Sequence, residues 1–564
     1  MQQVRVMSEN ATVSPDSASQ APFLASINPD AISSINEVMA LACQRFGKQP
    51  AFSSLGRTLS YSELDRLSAD FAAYLQQVLG LKPGERIAVQ LPNLIQYPVV
   101  VFGALRAGLV VVNTNPLYTA NEMQHQFNDS GAKALVVFAG CCDRVEKILA
   151  TTQIKHLITT EVADLHSTPK RLLLNAVVKH VKKMVPAYSL PNAVTLPQAL
   201  RLGRRHQHLP ATPTPDDVAV LQYTGGTTGV AKGAMLTHGN LVANYLQLAQ
   251  HFGDFIGQSK ETFIGPLPLY HIYAFTMHCM LLLGSGNHSV LIPNPRDIPG
   301  FVKELKKWKF TGFAGLNTLF VALSNNKEFA ELDFSALKFT ASGGMALTTA
   351  AAKHWQQVTG CQIIEGYGLT ETSPGVTFNQ PGHVQLGTIG QALPLTELQV
   401  VDDDEQVLPA GQPGELYVRG PQVMQGYWQQ AAETAMVMTG DGWFKTGDMA
   451  IIQEDTFVRI VDRKKDMIIV SGFNVYPNEI EDVICSMPEI RECAAIGVPD
   501  ARCGEAVKVF VVSNADSLSL EGIQTYCRER LSAYKIPRQI EFCDDLPKSN
   551  VGKVLRRALK QPAA

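Results

Sequence analysis

The run "RIAVQLPNLIQYPVVVFGALRAGLVVVNTNP", residues 86–116, decides the fold class. "RIAVQLP" is a short apolar, β-branched segment and reads as a strand. The stretch from Val99 to Gly108 reads as a helix closed by glycine, and "LVVVNTNP" returns to strand before an Asn/Pro turn. A helix between two strands brings the chain back to the same end of the sheet, so the strands run parallel. The alternation goes on downstream: "MQHQFNDSG" fits a helix stopped by Gly131, and "AKALVVFAG" is another strand. We therefore expect an α/β fold with parallel-rich sheets in a large domain over residues 36–461, behind a loose tail at 1–35. Around 390–461 the texture changes. "ELQVVDDDEQVLPAGQPGELYVRGP" alternates strands with turn residues, as in a small β-barrel-like or antiparallel subdomain. After 462, a helical "VYPNEIEDVICSM" and a strand "AVKVFVVSNA" predict a small α+β C-terminal domain over 462–564.

Composition narrows the function. The 564 residues are 46% hydrophobic and 18% charged, with a net charge of -3, so a large core is available and nothing global points to nucleic acid. The ten cysteines include no Cys-x-x-Cys pair, which argues against a zinc ribbon and suits a reducing cytoplasm. The N-terminal "MQQVRVMSENATVSPDSASQ" lacks the apolar stretch of a signal peptide. "VVVFGALRAGLVVV" and "FTMHCMLLLGSG" are too short to cross a bilayer and read as buried elements. Residues 170–186, "KRLLLNAVVKHVKKMVP", combine Leu173, Leu174, Val177, Val181, Met184 and Val185 at helical spacing with Lys170, Arg171, Lys179, Lys182 and Lys183. Such a helix either lies on an anionic membrane surface or packs on the protein with its lysines in water.

Four glycines and three threonines surround Lys232 in "YTGGTTGVAKG", residues 223–233. The spacing fails the Walker pattern, because Lys232 follows Ala231 and precedes Gly233. Glycines still let backbone amides converge on an anion, and hydroxyls and an ammonium add donors. The apolar "DDVAVLQ" before it sets the loop at a strand end, a common ligand position. A phosphate cradle and a structural turn both fit. Further candidates are His271 in "PLYHIYAF" (268–275), "ASGGMAL" (341–347), Tyr367 and Glu371 in "EGYGLTET" (365–372), Asp448 in "DGWFKTGD" (441–448), and Lys548 and Lys553 in "LPKSNVGKVLRR" (546–557). Each alone has a plain structural explanation, as a core aromatic, a turn acid or a solvated charge.

Together and in this order, these motifs resemble the AMP-forming acyl-CoA synthetases of the adenylate-forming superfamily, and among them the bacterial long-chain fatty acid–CoA ligases. The resemblance spans about residues 36–557. It implies ATP, CoA and a fatty acid as substrates and Mg²⁺ as cofactor: acyl-AMP and pyrophosphate form first, then acyl-CoA and AMP. It implies that Thr224, Gly225, Gly226, Thr227, Thr228, Gly229 and Lys232 hold the leaving phosphates and that Thr224 and Glu371 help hold the metal. Gly343, Gly344, Met345, Gly366, Tyr367 and Gly368 would line the adenine slot, with Thr370 near the α-phosphate, Asp448 on the ribose hydroxyls and Arg463 supporting them. His271 would lie where the carboxylate and then the thiol approach. Lys553 would be the adenylation lysine, Asp462 the hinge, and Gly472 and Lys464 CoA contacts. Phe275 and Met280 would gate and line an acyl tunnel. A homodimer and peripheral contact with the inner face of the membrane are compatible with this reading. Ala231, Gly239 and Asp441 depart from the family's usual residues, and Gly239 is expected to loosen the helix that follows the loop. Competing readings are a medium-chain or aryl-CoA ligase and a non-catalytic, membrane-associated fatty-acid carrier or sensor.

Overall fold

The computed structural model describes residues 32–560 except 225–230, 254, 472, 501, 514–517 and 549–553. Two large sheets carry the chain up to residue 392. The first has seven strands in the order Val194–Thr195, His156–Thr160, Ala134–Phe138, Arg86–Gln90, Val110–Asn113, Val218–Thr224, Lys232–Thr237. All neighbours are parallel except the last pair, which is antiparallel. The second has nine strands, parallel through its middle from Pro50–Ser54 to Ile363–Gly368. The expected strand–helix–strand unit is present as Arg86–Gln90, Gln96–Arg106 and Val110–Asn113.

That helix explains its own uniform hydrophobicity, for it is buried at every position from Gln96 to Leu105. With Ile35–Phe46, Tyr61–Ala73 and His238–Phe252 it forms one apolar core joining residues of both sheets. Separate clusters cover the other faces, around Phe313, Phe320 and Trp355 on one sheet and Met123, Phe127 and Leu135 on the other. Strands covered on both faces read as continuous apolar runs. Gly103 is needed for the packing: a Cβ there would stand 2.8 Å from the ring of Phe71 on the neighbouring helix.

The antiparallel region is a four-stranded sheet, Glu397–Val401, Gly414–Arg419, Phe444–Ile452 and Val458–Arg463, paired in sequence order. Asp462, the expected boundary, sits near the end of its last strand. Beyond it lies a five-stranded sheet with helices Pro477–Cys485 and Leu520–Arg528 and its own core around Ile480, Ile484, Val509, Val511 and Ile523.

The helix after the glycine loop is not loosened by Gly239, contrary to expectation. Thr237 caps His238–Phe252 in a reciprocal capping box with Asn240. Gly239 N–H donates to Pro215 O at 2.8 Å, where a side chain would crowd Pro215. No helix among the described residues is long and apolar enough to cross a membrane. The helix Thr168–Ala176 and its continuation Val177–Val181 bury no residue. Leu172, Leu173, Val181 and Met184 are 62%, 65%, 74% and 52% exposed.

Candidate active site

A cavity of about 1250 Å³ opens where strands Val218–Thr224, Phe339–Ser342 and Ile363–Gly368 end. Its far wall comes from Tyr417, Phe444 to Gly447, and the C-terminal residues Arg463 to Lys465, Lys548 and Leu555. Loops at the carboxyl ends of parallel strands are where α/β sheets leave room for ligands, because the strands stop while the helices turn back.

One wall carries a clasped carboxylate. Antiparallel pairing sets Asp448 opposite Arg463. Arg463 Nε lies 2.6 Å from Asp448 Oδ1, and the Tyr367 hydroxyl donates to Oδ2 at 2.6 Å. Asp448 is buried behind these partners, which themselves line the cavity. Gly366 and Gly368 flank Tyr367 because no side chain fits: a Cβ would collide with the Phe378 ring at one and the Pro374 carbonyl at the other.

Glu371 lies in the short turn Thr370–Thr372 just past this strand, and both Thr370 and Glu371 face the cavity. Its Oε1 accepts the Tyr427 hydroxyl at 2.7 Å. Burial raises the Glu371 pKa, and the Tyr427 hydrogen bond pulls it back. Thr224 lines the same cavity directly across the hairpin from Lys232. The strands on either side of the glycine loop therefore pair antiparallel, whereas a Walker loop joins a strand to a helix. Gly225, Gly226, Thr227, Thr228 and Gly229 lie outside the described residues. Lys232 is already partnered, by the Glu433 carboxylate and by the Tyr427 ring 5.3 Å below its ammonium.

His271 caps the turn Ile272–Ala274 through Nδ1, which accepts from Tyr273 N at 3.4 Å. Burial pushes its pKa down to about 4, so the imidazole is uncharged at neutral pH. Gly343 and Gly344 line the cavity, and Gly344 has φ +82°, which favours glycine. Met345 follows them but is not part of the lining. Phe275 and Met280 do not reach the cavity either. Both are fully buried in the main core, on the wide, π-type helix Phe275–Leu282.

Lys464 faces the cavity and pairs with Asp403 at 3.0 Å and Glu415 at 3.1 Å. Lys548 pairs with Glu492 at 2.7 Å and Asp545 at 2.8 Å. Lys553 and Gly472 lie outside the described residues. Next to Gly472, Phe473 is 55% exposed and stacks on Tyr534 at 4.7 Å. The Asp462 carboxylate is buried, and burial pushes its pKa up to about 6. Sequence reasoning missed Tyr427 and Glu433. Neither stands in a motif with the residue it serves, and Tyr427 is 56 positions from Glu371.

Among the described residues no group of three or more His, Cys, Asp and Glu side chains is placed to hold a metal by itself. A single buried carboxylate beside a hydroxyl suits a hard cation that takes its other ligands from phosphates and water, which is how Mg²⁺ is usually held.

The chain is matched over residues 39–428 by the AMP-binding enzyme family and over 479–553 by the AMP-binding enzyme C-terminal domain. It is similar to the long-chain-fatty-acid–CoA ligase of Escherichia coli O6:H1, at 51% identity over 539 residues, 95% of this chain and 96% of that one. The Salmonella typhimurium protein of the same description is 51% identical over 541 residues, 96% of each chain. In fold it is similar to the anthranilate CoA ligase AuaEII in complex with anthranoyl-AMP, with TM-score 0.83 and 23% identity over 94% of this chain and 98% of that one.

Proposed function

Since this chain belongs to the AMP-binding enzyme family, we infer that it is a long-chain-fatty-acid–CoA ligase. It joins a fatty acid to CoA at the expense of ATP, releasing AMP and pyrophosphate. The observation that carries the chemistry is the convergence on one cavity of the Asp448 clasp, the buried Glu371 and the uncharged His271. The length of the acid follows the relatives that are about half identical over nearly the whole chain. Pyrophosphate release, measured with acids from hexanoate to octadecanoate and with benzoate, tests it. A preference for benzoate would sink the long-chain reading.

The carboxylate oxygen of the fatty acid attacks the α-phosphorus of ATP, the bond to the bridging oxygen of pyrophosphate breaks, and acyl-AMP results. The CoA sulfur then attacks the acyl carbon and AMP leaves. Both steps need neutralised phosphate charge and aligned reactants more than an acid–base pair. In our assignment Asp448 holds the ribose: each of its oxygens accepts one protein hydrogen bond and keeps a lone pair for a hydroxyl. Glu371 and Thr224 would hold Mg²⁺, which supplies neutralisation of the phosphates when bound. The Tyr427 hydroxyl aligns that carboxylate. His271 stays neutral beside the acyl carbon and lets either anionic nucleophile approach without trapping it as an ion pair. Lys553 supplies the ammonium for the first step.

Lys548 and Leu555 bracket Lys553 and face the cavity, which supports an arrangement suited to adenylation. Ile469 and Phe473, 49% and 55% exposed, belong to the segment assigned to CoA. Rotation about Asp462 would exchange the two faces. We place the acyl chain behind Tyr273, along Phe275–Leu282, whose wide helical winding is rare and is frequent at functional sites. We also propose that Leu172, Leu173, Val181 and Met184 meet the surface of an anionic bilayer, flanked by Lys179, Lys182 and Lys183. Co-sedimentation with anionic vesicles, lost in Leu173→Glu, checks this. Ten free cysteines support a reducing, cytoplasmic setting.

A further inference from the structure

Arg556 takes no part in the steps above, yet among the described residues it touches four polar side chains, Glu481, Asn478, Asp462 and Asp466. Its Nη2 lies 2.8 Å from both Glu481 oxygens and from Asn478 Oδ1, and its Nε donates to Glu481 Oε1 at 3.3 Å. Its Nη1 lies 3.5 Å from Asp462 Oδ1 and 3.7 Å from Asp466 Oδ2. Only 15% of the side chain is exposed. Asp462 is held from the same side, since its Oδ2 accepts Asn478 N at 2.8 Å. The next residue, Arg463, reaches the opposite way to Asp448, as alternate residues of a strand must. One step along the chain thus separates a contact to the nucleotide wall from a contact to the Arg556 cluster.

Arg556 is also three residues from Lys553. Three residues of extended chain span at most ~10 Å, so anchoring Arg556 limits how far the backbone of Lys553 can lie from it. The contacts are of two strengths. The fork onto Glu481 is short and bidentate, and Glu481 rides on the helix Pro477–Cys485 of the C-terminal core. The contact to Asp462, at the expected boundary between the domains, is longer. A charge held tightly on one side and loosely on the other keeps its place in the C-terminal domain while the loose side lets go.

We propose that Arg556 is a positioning residue for the adenylation half-reaction. It ties the chain just past Lys553 to Asp462, and releases that contact while keeping Glu481 when the domain turns for thioester formation. This rests on the two-step ligase reading with Lys553 as the adenylation lysine. A merely structural staple would depress both half-reactions together.

The test measures two rates on the full chain: pyrophosphate release from hexadecanoate and ATP without CoA, and acyl-CoA formation from supplied hexadecanoyl-AMP. Arg556→Ala is expected to lose about 100-fold in the first, the scale of a reactant misplaced by an ångström, and to stay within about 3-fold in the second. Arg556→Lys keeps the charge without the bidentate fork and serves if the alanine variant does not fold. It is expected to lose about 10-fold in the first rate alone. Equal losses in both rates, or no loss in either, overturn the proposal. If the unaltered protein releases no pyrophosphate with hexadecanoate, the ligase reading itself falls and the proposal with it.

Discussion

Tyr427→Phe removes one oxygen and almost no volume, and it tests the site where sequence motifs are silent. The Tyr427 hydroxyl donates to Glu371 Oε1 at 2.7 Å, inside a wall where Glu371 is buried. Hydrogen bonds to charged groups contribute about 1.5–3 kcal/mol, and each 1.36 kcal/mol is about a tenfold change in rate. Full loss would therefore cost about 10- to 150-fold. The carboxylate is at the cavity wall and regains part of this by hydration, so the expected fall in pyrophosphate release is about 10- to 30-fold. The pH dependence adds a second readout. Burial raises the Glu371 pKa and Tyr427 lowers it, so removing the hydroxyl raises it further. Less carboxylate is then present at low pH, and the acid limb of the rate profile moves to higher pH. The assay is pyrophosphate release across pH and Mg²⁺ concentration, with hexadecanoate saturating. A Mg²⁺ requirement and an acid limb both unmoved from the unaltered protein would refute the role given to this pair.

Three further outcomes follow from named contacts. Lys553→Ala is expected to abolish acyl-AMP formation while sparing thioester formation from supplied acyl-AMP; normal adenylation by that variant would remove Lys553 from the mechanism. Asp448→Asn takes the counter-charge from Arg463, so the KM for ATP should rise about tenfold or more and thermal stability should fall, on the order of 1–3 kcal/mol for a half-buried pair; an unchanged KM would deny it the ribose. Burial pushes the Glu365 carboxyl from 4.5 up to about 8, so the folded state keeps a proton that the unfolded chain loses. Its contribution is full below about pH 4.5 and is lost as pH rises through about 8, at ~1.4 kcal/mol per unit in between. Glu365→Gln should therefore raise the melting temperature more at pH 8 than at pH 5, and an equal effect at both would contradict the buried, protonated state.

Much of the architecture was legible before any coordinate. The strand–helix–strand unit at 86–116 was readable because its strands are apolar on both faces, and Gly131 and the Asn/Pro turn marked element ends. Asp448, Tyr367, Glu371 and Arg463 were legible as candidates because their motifs are local in sequence. One expectation failed because it depended on residues distant in sequence. Gly239 was judged as a poor helix former, but its surroundings were invisible: the capping box and the Pro215 backbone make a glycine the residue that fits. Phe275 and Met280 were assigned to an acyl tunnel through the family resemblance; in the fold both are buried in the main core, just along the chain from the cavity-lining Ile272 and Tyr273.

By itself the sequence determined the fold class, the chemical class and the short stretches proposed to carry the chemistry, because period, turn residues and motifs act over a few neighbouring positions. Only the tertiary structure decided which of those stretches share a wall. It set Tyr367 and Arg463 on the two oxygens of Asp448, gave Lys232 to Glu433, hydrogen-bonded Tyr427 to Glu371 and brought Arg556 to Asp462. Those pairs lie tens to hundreds of positions apart. Hydrogen bonds and ion pairs act over about 3 Å, and nothing in the order of residues records which distant side chains folding brings within that reach.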